Sequence, residues 1–291
     1  MTNSMGQMIE IQPKKSDIGD FEVKRFLPSK VKRSVGPFIF FDEMGPTVLD
    51  NGAGMDVRPH PHIGLSTLTW LLEGEIVHRD SLGYRQTIRP GEVNWMTAGR
   101  GIVHSERSPH DGRNGQRSLY GLQVWVALPS DKQEIDPSFQ HVKANALPKL
   151  KKENAKITVI AGEAYGEKSP VQVQSPTIYL DIKVKDGGLT LPNDYEEQAV
   201  YIIKGQGVFN GQQVNQGSFF VLPNKHKTTI DEASDLHFVL LGGQALKNKR
   251  YLWWNFASTS KERIEKAKDD WENGRFDKVI DDEEHIPLPE K

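Results

Sequence analysis

A chain of 291 residues with 37 basic and 39 acidic side chains carries a formal net charge of −2, without the basic excess of a protein that grips phosphate backbones. It has no cysteine, which excludes a disulfide framework and thiolate chemistry and leaves His, Asp and Glu to hold any metal. No basic stretch followed by an apolar one opens the chain and no apolar run approaches membrane-spanning length, so the expectation is a cytoplasmic protein with no secretory signal, no membrane partner and no direct nucleic-acid contact.

Glycine (26 residues) and proline (17) suit many short strands joined by tight turns. Residues 1 to about 20 read as a leader that adds an edge strand. Residues 36–46, GPFIFFDEMGP, read as a buried strand with Asp42 and Glu43 at its exit. A meander follows over 57–107, with strands at 65–72, 75–79, 84–88, 93–96 and 102–107. Glu73-Gly74, the loop Asp80-Ser81-Leu82-Gly83, Pro90-Gly91 and Gly99-Arg100-Gly101 separate them. Residues 119–128, LYGLQVWVAL, supply one more apolar strand. Such closely spaced turn signals favour a sandwich or barrel.

The polar stretch from Pro129 onward, with Pro137, Pro148, Lys149, Lys151 and Lys152, reads as a solvated linker. Strand signals resume at 157–161 and 177–185. The glycine-punctuated segment 189–222 then reads as a second barrel, with Gly205-x-Gly207 as a turn, so the chain is expected to be a duplicated β-domain. Near the end, Thr259 and Glu262 form a capping-box pattern, Glu262 pairs with Lys266, and Ile264, Ala267 and Trp271 recur at helical spacing before Gly274. This predicts one helix over about 260–273 whose apolar stripe packs on a barrel. The resulting division is 1–135 for a first, metal-binding barrel, 136–156 for the linker, 157–250 for a metal-free barrel and 251–291 for the helix and tail.

The chemistry concentrates in histidines. His60 and His62, in RPHPHIG, alternate along an extended segment stiffened by Pro59 and Pro61, so both imidazoles point to one side. His104 and Glu106, in HSE, repeat the device, and two facing strands would bring the pairs together. Three imidazoles and a carboxylate suit Fe(II), Mn(II), Ni(II), Cu(II) or Zn(II), with positions left for water, oxygen or a bidentate substrate. A His-x-His on a strand also occurs as a hydrogen-bonded core device, so spacing alone leaves both readings open. His78 and Asp80 either orient a ligand from behind or stabilise a turn. Tyr84 and Trp95 read as core or pocket wall, His110 as surface, and His226 and His237 as isolated. There is no Gly-x-Ser-x-Gly elbow and no phosphate-cradling loop before a helix.

The run PHPHIGLSTLTWLLEGEIVHRDSLGYRQTIRPGEVNWMTAGRGIVHSE, with GPFIFFDEMGP before it, resembles the signature region of the pirin family. The resemblance implies an all-β bicupin: two cupin-type antiparallel β-barrels in one chain with a short C-terminal helix, and metal in the first barrel. The family's ligand pattern falls on His60, His62, His104 and Glu106. The general cupin pattern expects a Glu shortly after the second His, where Ser66 and Thr67 stand, so the carboxylate comes from Glu106. In the second half, Tyr195 and Glu196 occupy the corresponding stretch around 193–198, which has no His.

The resemblance also implies quercetin 2,3-dioxygenase activity. A small aromatic chelating substrate, a flavonol or similar enediol, would react with O2 and release carbon monoxide, with Glu106 as ligand and proton acceptor. The cofactor expected is one divalent transition metal, iron(II) first, with nickel, manganese, copper, zinc and cobalt as alternatives. Two further readings stand beside it: a metal- or redox-dependent regulator that binds a transcription or metabolic protein partner, and a metal-free ligand-binding barrel.

Overall fold

The structure, a computed structural model, describes residues 6–17, 22–50, 53–109, 117–224 and 226–290. The chain divides into two compact units that interleave along the sequence. One comprises Met1–Pro13, Phe26–Ile39 and Asn145–Leu246. The other comprises Lys14–Arg25, Phe40–Ala144 and Lys247–Lys291, so the tail belongs with the histidine-bearing half.

The first of these units is built on a nine-stranded antiparallel sheet. Its main path runs Ile9–Ile11, Phe219–Val221, Glu197–Phe209, Thr229–Gly243, Thr177–Asp186, Ala155–Ala161 and Lys149–Lys152. The period-two alternation of these strands turns Ile157, Val159, Leu180, Ile182, Val200, Ile202, Phe238 and Leu240 into one apolar core. Removing such residues from water is the main stabilising contribution to this unit. Gly205 and Gly207 lie inside the strand Glu197–Phe209 and do not form the expected turn. Gly205 sits at φ +78° where the register slips, and a Cβ there would meet the Asp235 carbonyl oxygen at 2.4 Å. The glycine therefore makes a bulge in a continuous strand. The lysine-rich part of the expected linker is the edge strand Lys149–Lys152, where charge protects an exposed edge. Tyr195 and Glu196 hydrogen-bond to the backbone of Glu163 and Ala245, respectively.

The other unit pairs a seven-stranded sheet with a four-stranded one. The larger runs Ser138–Val142, Val93–Thr97, Leu65–Glu73, Arg117–Ala127, Phe38–Leu49, Glu22–Leu27 and Lys14–Asp17. The smaller runs Asp56–His62, Ile102–Arg107, Ile76–Asp80 and Arg85–Ile88. Val23, Met44, Leu71 and Leu119 of the larger sheet pack against Ile76 and Ile88 of the smaller, which joins the two over one core. Asp42 and Glu43 are not at a strand exit but inside the strand Phe38–Leu49, where burial requires partners: Arg25 takes Asp42, and Lys24 and Tyr120 take Glu43. Trp95 is core, whereas Tyr84 is 49% exposed. His110 lies outside the described residues.

The helix spans Lys261–Glu272, and Ile264 and Ala267 bury its stripe against Ile63 and Phe256 of the same unit. Its cap is Ser260, whose Oγ accepts from the Arg263 amide at 3.1 Å; Thr259 bonds Gln133 instead. Glu262 receives the Ser260 hydroxyl, and Lys266 pairs forward with Asp270 rather than back with Glu262. Gly274 closes the helix at φ +65°. Ser260→Ala is expected to lower stability by about 1 kcal/mol, read as a shifted urea midpoint at constant slope.

Candidate metal centre

His60 and His62 lie on Asp56–His62, an edge strand, and an edge position tolerates Pro59 and Pro61 because a missing N–H there breaks no ladder. The neighbouring strand Ile102–Arg107 pairs with it so that His104 faces His60 and Ile102 faces His62. Alternation then puts His60, His62 and His104 on one face of the sheet. The register slips just beyond, where Arg58 and Pro59 oppose Ser105 alone, and the Pro59 carbonyl accepts from the Ile286 amide at 2.9 Å. On the other side, the strand Ile76–Asp80 places His78 opposite Glu106 and Asp80 opposite His104. A single face thus carries six buried polar side chains.

The three imidazoles converge. Ring centroids are 5.0 Å apart for His60 and His62, 4.4 Å for His60 and His104, and 5.0 Å for His62 and His104. One nitrogen from each lies within 4.8 Å of the others, and all three residues are buried. Hydrogen bonds on the far side of each ring set which nitrogen faces inward. His60 Nδ1 donates to the Arg58 carbonyl at 2.8 Å and His62 Nδ1 to the Asn255 carbonyl at 3.1 Å, which leaves each Nε2 with its lone pair. His104 Nδ1 lies 3.4 Å from His78 Nδ1, and His104 Nε2 is buried with no hydrogen-bond partner among the described residues. A buried polar atom left unmatched is costly unless something fills the position.

Burial also decides the charge of the site. It pulls His60 down to about 4, against the opposing pull of the Arg58 carbonyl, and holds His62 and His104 well below the usual imidazole range. The imidazoles therefore stand neutral at physiological pH, the state in which they bind metals. Burial pushes the Glu106 carboxyl up, opposed by hydrogen bonds from Thr69 and Gln123. Thr69 Oγ1 donates to Glu106 Oε1 at 3.2 Å. Three neutral nitrogen donors, one of them unmatched, beside a buried carboxyl fit a divalent transition metal. Glu106 itself lies outside the mutually close trio.

A cavity of about 380 Å³ opens over His60, His62 and Glu106. Phe40 and Trp125, stacked at 3.9 Å, give it an aromatic wall, and Met44, Met55, Trp254 and Ile286 extend the apolar lining. Arg25 lies 4.3 Å over the Phe40 ring and forks onto Asp42 at 2.9 and 2.8 Å. Sequence reading missed Asn255, Trp254 and Ile286. The segment 251–258 was expected as helix and tail, but it is a hairpin of Tyr251–Trp253 and Phe256–Ser258 whose turn supplies the carbonyl for His62. Its aromatic run YLWWNF was the available signal. Of the two roles expected of His78 and Asp80, the turn is seen directly: Asp80 Oδ1 accepts the Leu82 and Tyr84 amides, while Oδ2 meets His78 Nε2 at 2.8 Å.

An all-β chain with a buried three-histidine centre beside a cavity that has an aromatic wall is a cupin protein with a site able to hold a metal. Comparison with protein families matches "Pirin" over residues 20–126 and "Pirin C-terminal cupin domain" over residues 179–277. The chain belongs to the pirin family, with two cupin domains, neither closed into a complete barrel. A pirin-like protein of Caulobacter vibrioides is 46% identical over 95% of this chain and 97% of its own. Human pirin is 32% identical over 85% of this chain and 88% of its own. The crystal structure of a quercetin 2,3-dioxygenase from Acinetobacter baumannii superposes with a TM-score of 0.90 at 34% identity, covering 99% of this chain and 96% of that one. Among the described residues no helix is long and apolar enough to cross a membrane.

Proposed function

We propose that the chain is a metal-dependent dioxygenase of the quercetin 2,3-dioxygenase type, with one divalent transition metal, iron(II) first, on His60, His62, His104 and Glu106. Its substrates would be O2 and a flavonol or related chelating enediol. The observation that carries this reading is the convergence of three buried imidazole nitrogens, two of them from histidines that line an open cavity. A cavity of about 380 Å³ falls in the range of about 300–1,000 Å³ that holds small ligands. The likeness to the Acinetobacter protein adds support.

When bound, the metal would supply Lewis-acid activation of the substrate's neighbouring oxygens. The chain's own residues do the rest. Phe40, Trp125 and Trp254 offer aromatic surface to a planar ring and keep water from it. Glu106, its carboxyl raised by burial, is a stronger base than an exposed glutamate and takes the proton of the chelating hydroxyl. Thr69 and Gln123 hold that carboxyl in place.

Protein loaded anaerobically with iron(II), then given quercetin and O2, is expected to consume the two in equal amounts. Glu106→Gln should cut kcat by roughly 10²–10⁴-fold, the usual worth of a positioned base. Loaded protein that leaves both quercetin and simpler chelating enediols untouched would contradict the enzyme reading and turn attention to the regulator that binds a protein partner.

A further inference from the structure

We infer that His78 and Asp80 are positioning residues: a two-member relay that fixes the tautomer and aim of His104 from behind the metal centre. The inference rests on the reading of His104 as a metal ligand and adds how that ligand is prepared.

The hydrogen bonds read in one direction. Asp80 Oδ1 accepts two amides, from Leu82 at 2.9 Å and Tyr84 at 3.1 Å, so the carboxylate cannot turn. Its other oxygen, an acceptor only, lies 2.8 Å from His78 Nε2, which must therefore carry the ring proton and donate it. With that single proton on Nε2, His78 offers a lone pair at Nδ1, 3.4 Å from His104 Nδ1. His104 then carries its proton on Nδ1 and donates it to His78. That leaves the lone pair of His104 on Nε2, the buried atom that has no partner among the described residues. Phe139 stacks on His78 at 4.4 Å and 14°, which holds the ring in the orientation the relay needs. A histidine ligand whose second nitrogen is tied through a donor to a carboxylate is oriented and made more basic toward its metal.

The relay makes an unusual prediction for Asp80→Asn. The variant is isosteric, and the two turn amides force its carbonyl oxygen to stay where Oδ1 was. Its NH2 group then points at His78 Nε2, which must become an acceptor. His78 moves its proton to Nδ1, His104 Nδ1 must accept in turn, and the His104 proton is driven onto Nε2, where it blocks the metal. A substitution that preserves shape and turn should thus weaken metal binding as strongly as His78→Phe, which keeps the stacking on Phe139 but removes the acceptor. His78→Gln should rescue, because its amide oxygen accepts from His104 while its NH2 donates to Asp80.

The experiment measures cobalt(II) affinity by chelator competition for the parent and the three variants, with the His104 tautomer read in the metal-free proteins by long-range nitrogen–proton NMR. The expected result is a loss of roughly 10–100-fold for Asp80→Asn and His78→Phe, near-parent affinity for His78→Gln, and His104 protonated on Nδ1 in the parent but on Nε2 in Asp80→Asn. Parent protein with His104 protonated on Nε2, or Asp80→Asn and His78→Phe within twofold of parent affinity, would overturn the relay. Failure of the parent to bind cobalt would instead strike the metal reading itself, and the tautomer measurement still decides the relay in that case.

Discussion

Replacing His104 by alanine is expected to lower metal affinity by roughly 10²–10³-fold while changing the stability of the metal-free protein little. Structural zinc sites gain about 10–16 kcal/mol from four ligands, so one ligand is worth about 3–4 kcal/mol. The metal-free fold responds differently because two effects oppose. Truncation opens a cavity at a residue that is 1% exposed, which destabilises. It also removes a buried nitrogen that has no partner among the described residues, which relieves about 1–3 kcal/mol of desolvation penalty. The sharpest readout is the stabilisation conferred by metal. Parent protein should gain about 4 kcal/mol at metal concentrations near a thousand times its Kd, and the variant should gain only about 0.4–1.4 kcal/mol at that concentration. Equal stabilisation of both proteins by iron(II) or cobalt(II) would remove His104 from the site.

The second large effect is acid lability of the metal-free protein. An unfolded histidine titrates near about 6.5, whereas His60 in the fold is held at about 4 by burial. Between those values the unfolded chain binds a proton that the folded chain refuses, so stability rises with pH across that window. His60 alone therefore contributes about 3 kcal/mol that is fully present above pH 6.5 and lost as pH falls toward about 4. His62 and His104 act in the same direction. Glu106 and Asp42 oppose them, because carboxyls raised by burial hold protons in the fold that the unfolded chain has already released. The histidines outnumber them, and the expected net result is a steep fall in the urea midpoint from pH 7 to pH 5. Bound metal would be released over the same interval as protons compete for the nitrogens. A midpoint that is flat or rises on acidification would show that these imidazoles are not held neutral by the fold.

Much of the site was legible because its geometry is local. A histidine at every second position of an extended chain must share a face, and His60, His62 and His104 needed only a pairing of their two strands in the right register to meet. The strand and turn pattern of 65–107 was legible for the same reason, since a turn glycine such as Gly74, Gly83 or Gly91 at positive φ marks where each strand ends. What escaped was set by long-range packing. The carbonyl that orients His62 belongs to Asn255, 193 residues away, and the Ile286 amide covers the edge of the histidine strand from further still. The helix cap shifted by one residue because Gln133, distant in sequence, takes Thr259 and leaves Ser260 to cap. Gly205-x-Gly207 looked like a turn because a turn and a bulge ask the same conformational freedom of glycine, and only the neighbouring strand distinguishes them.

The most direct test is to titrate metal-free protein anaerobically with iron(II), count the equivalents bound, and record the X-ray absorption fine structure of the loaded protein. One ion per chain with imidazole scattering from three nitrogens at about 2.1 Å is the result required of His60, His62 and His104 acting together. Saturation without imidazole scattering, or no ion retained at all, would contradict a centre built from those side chains.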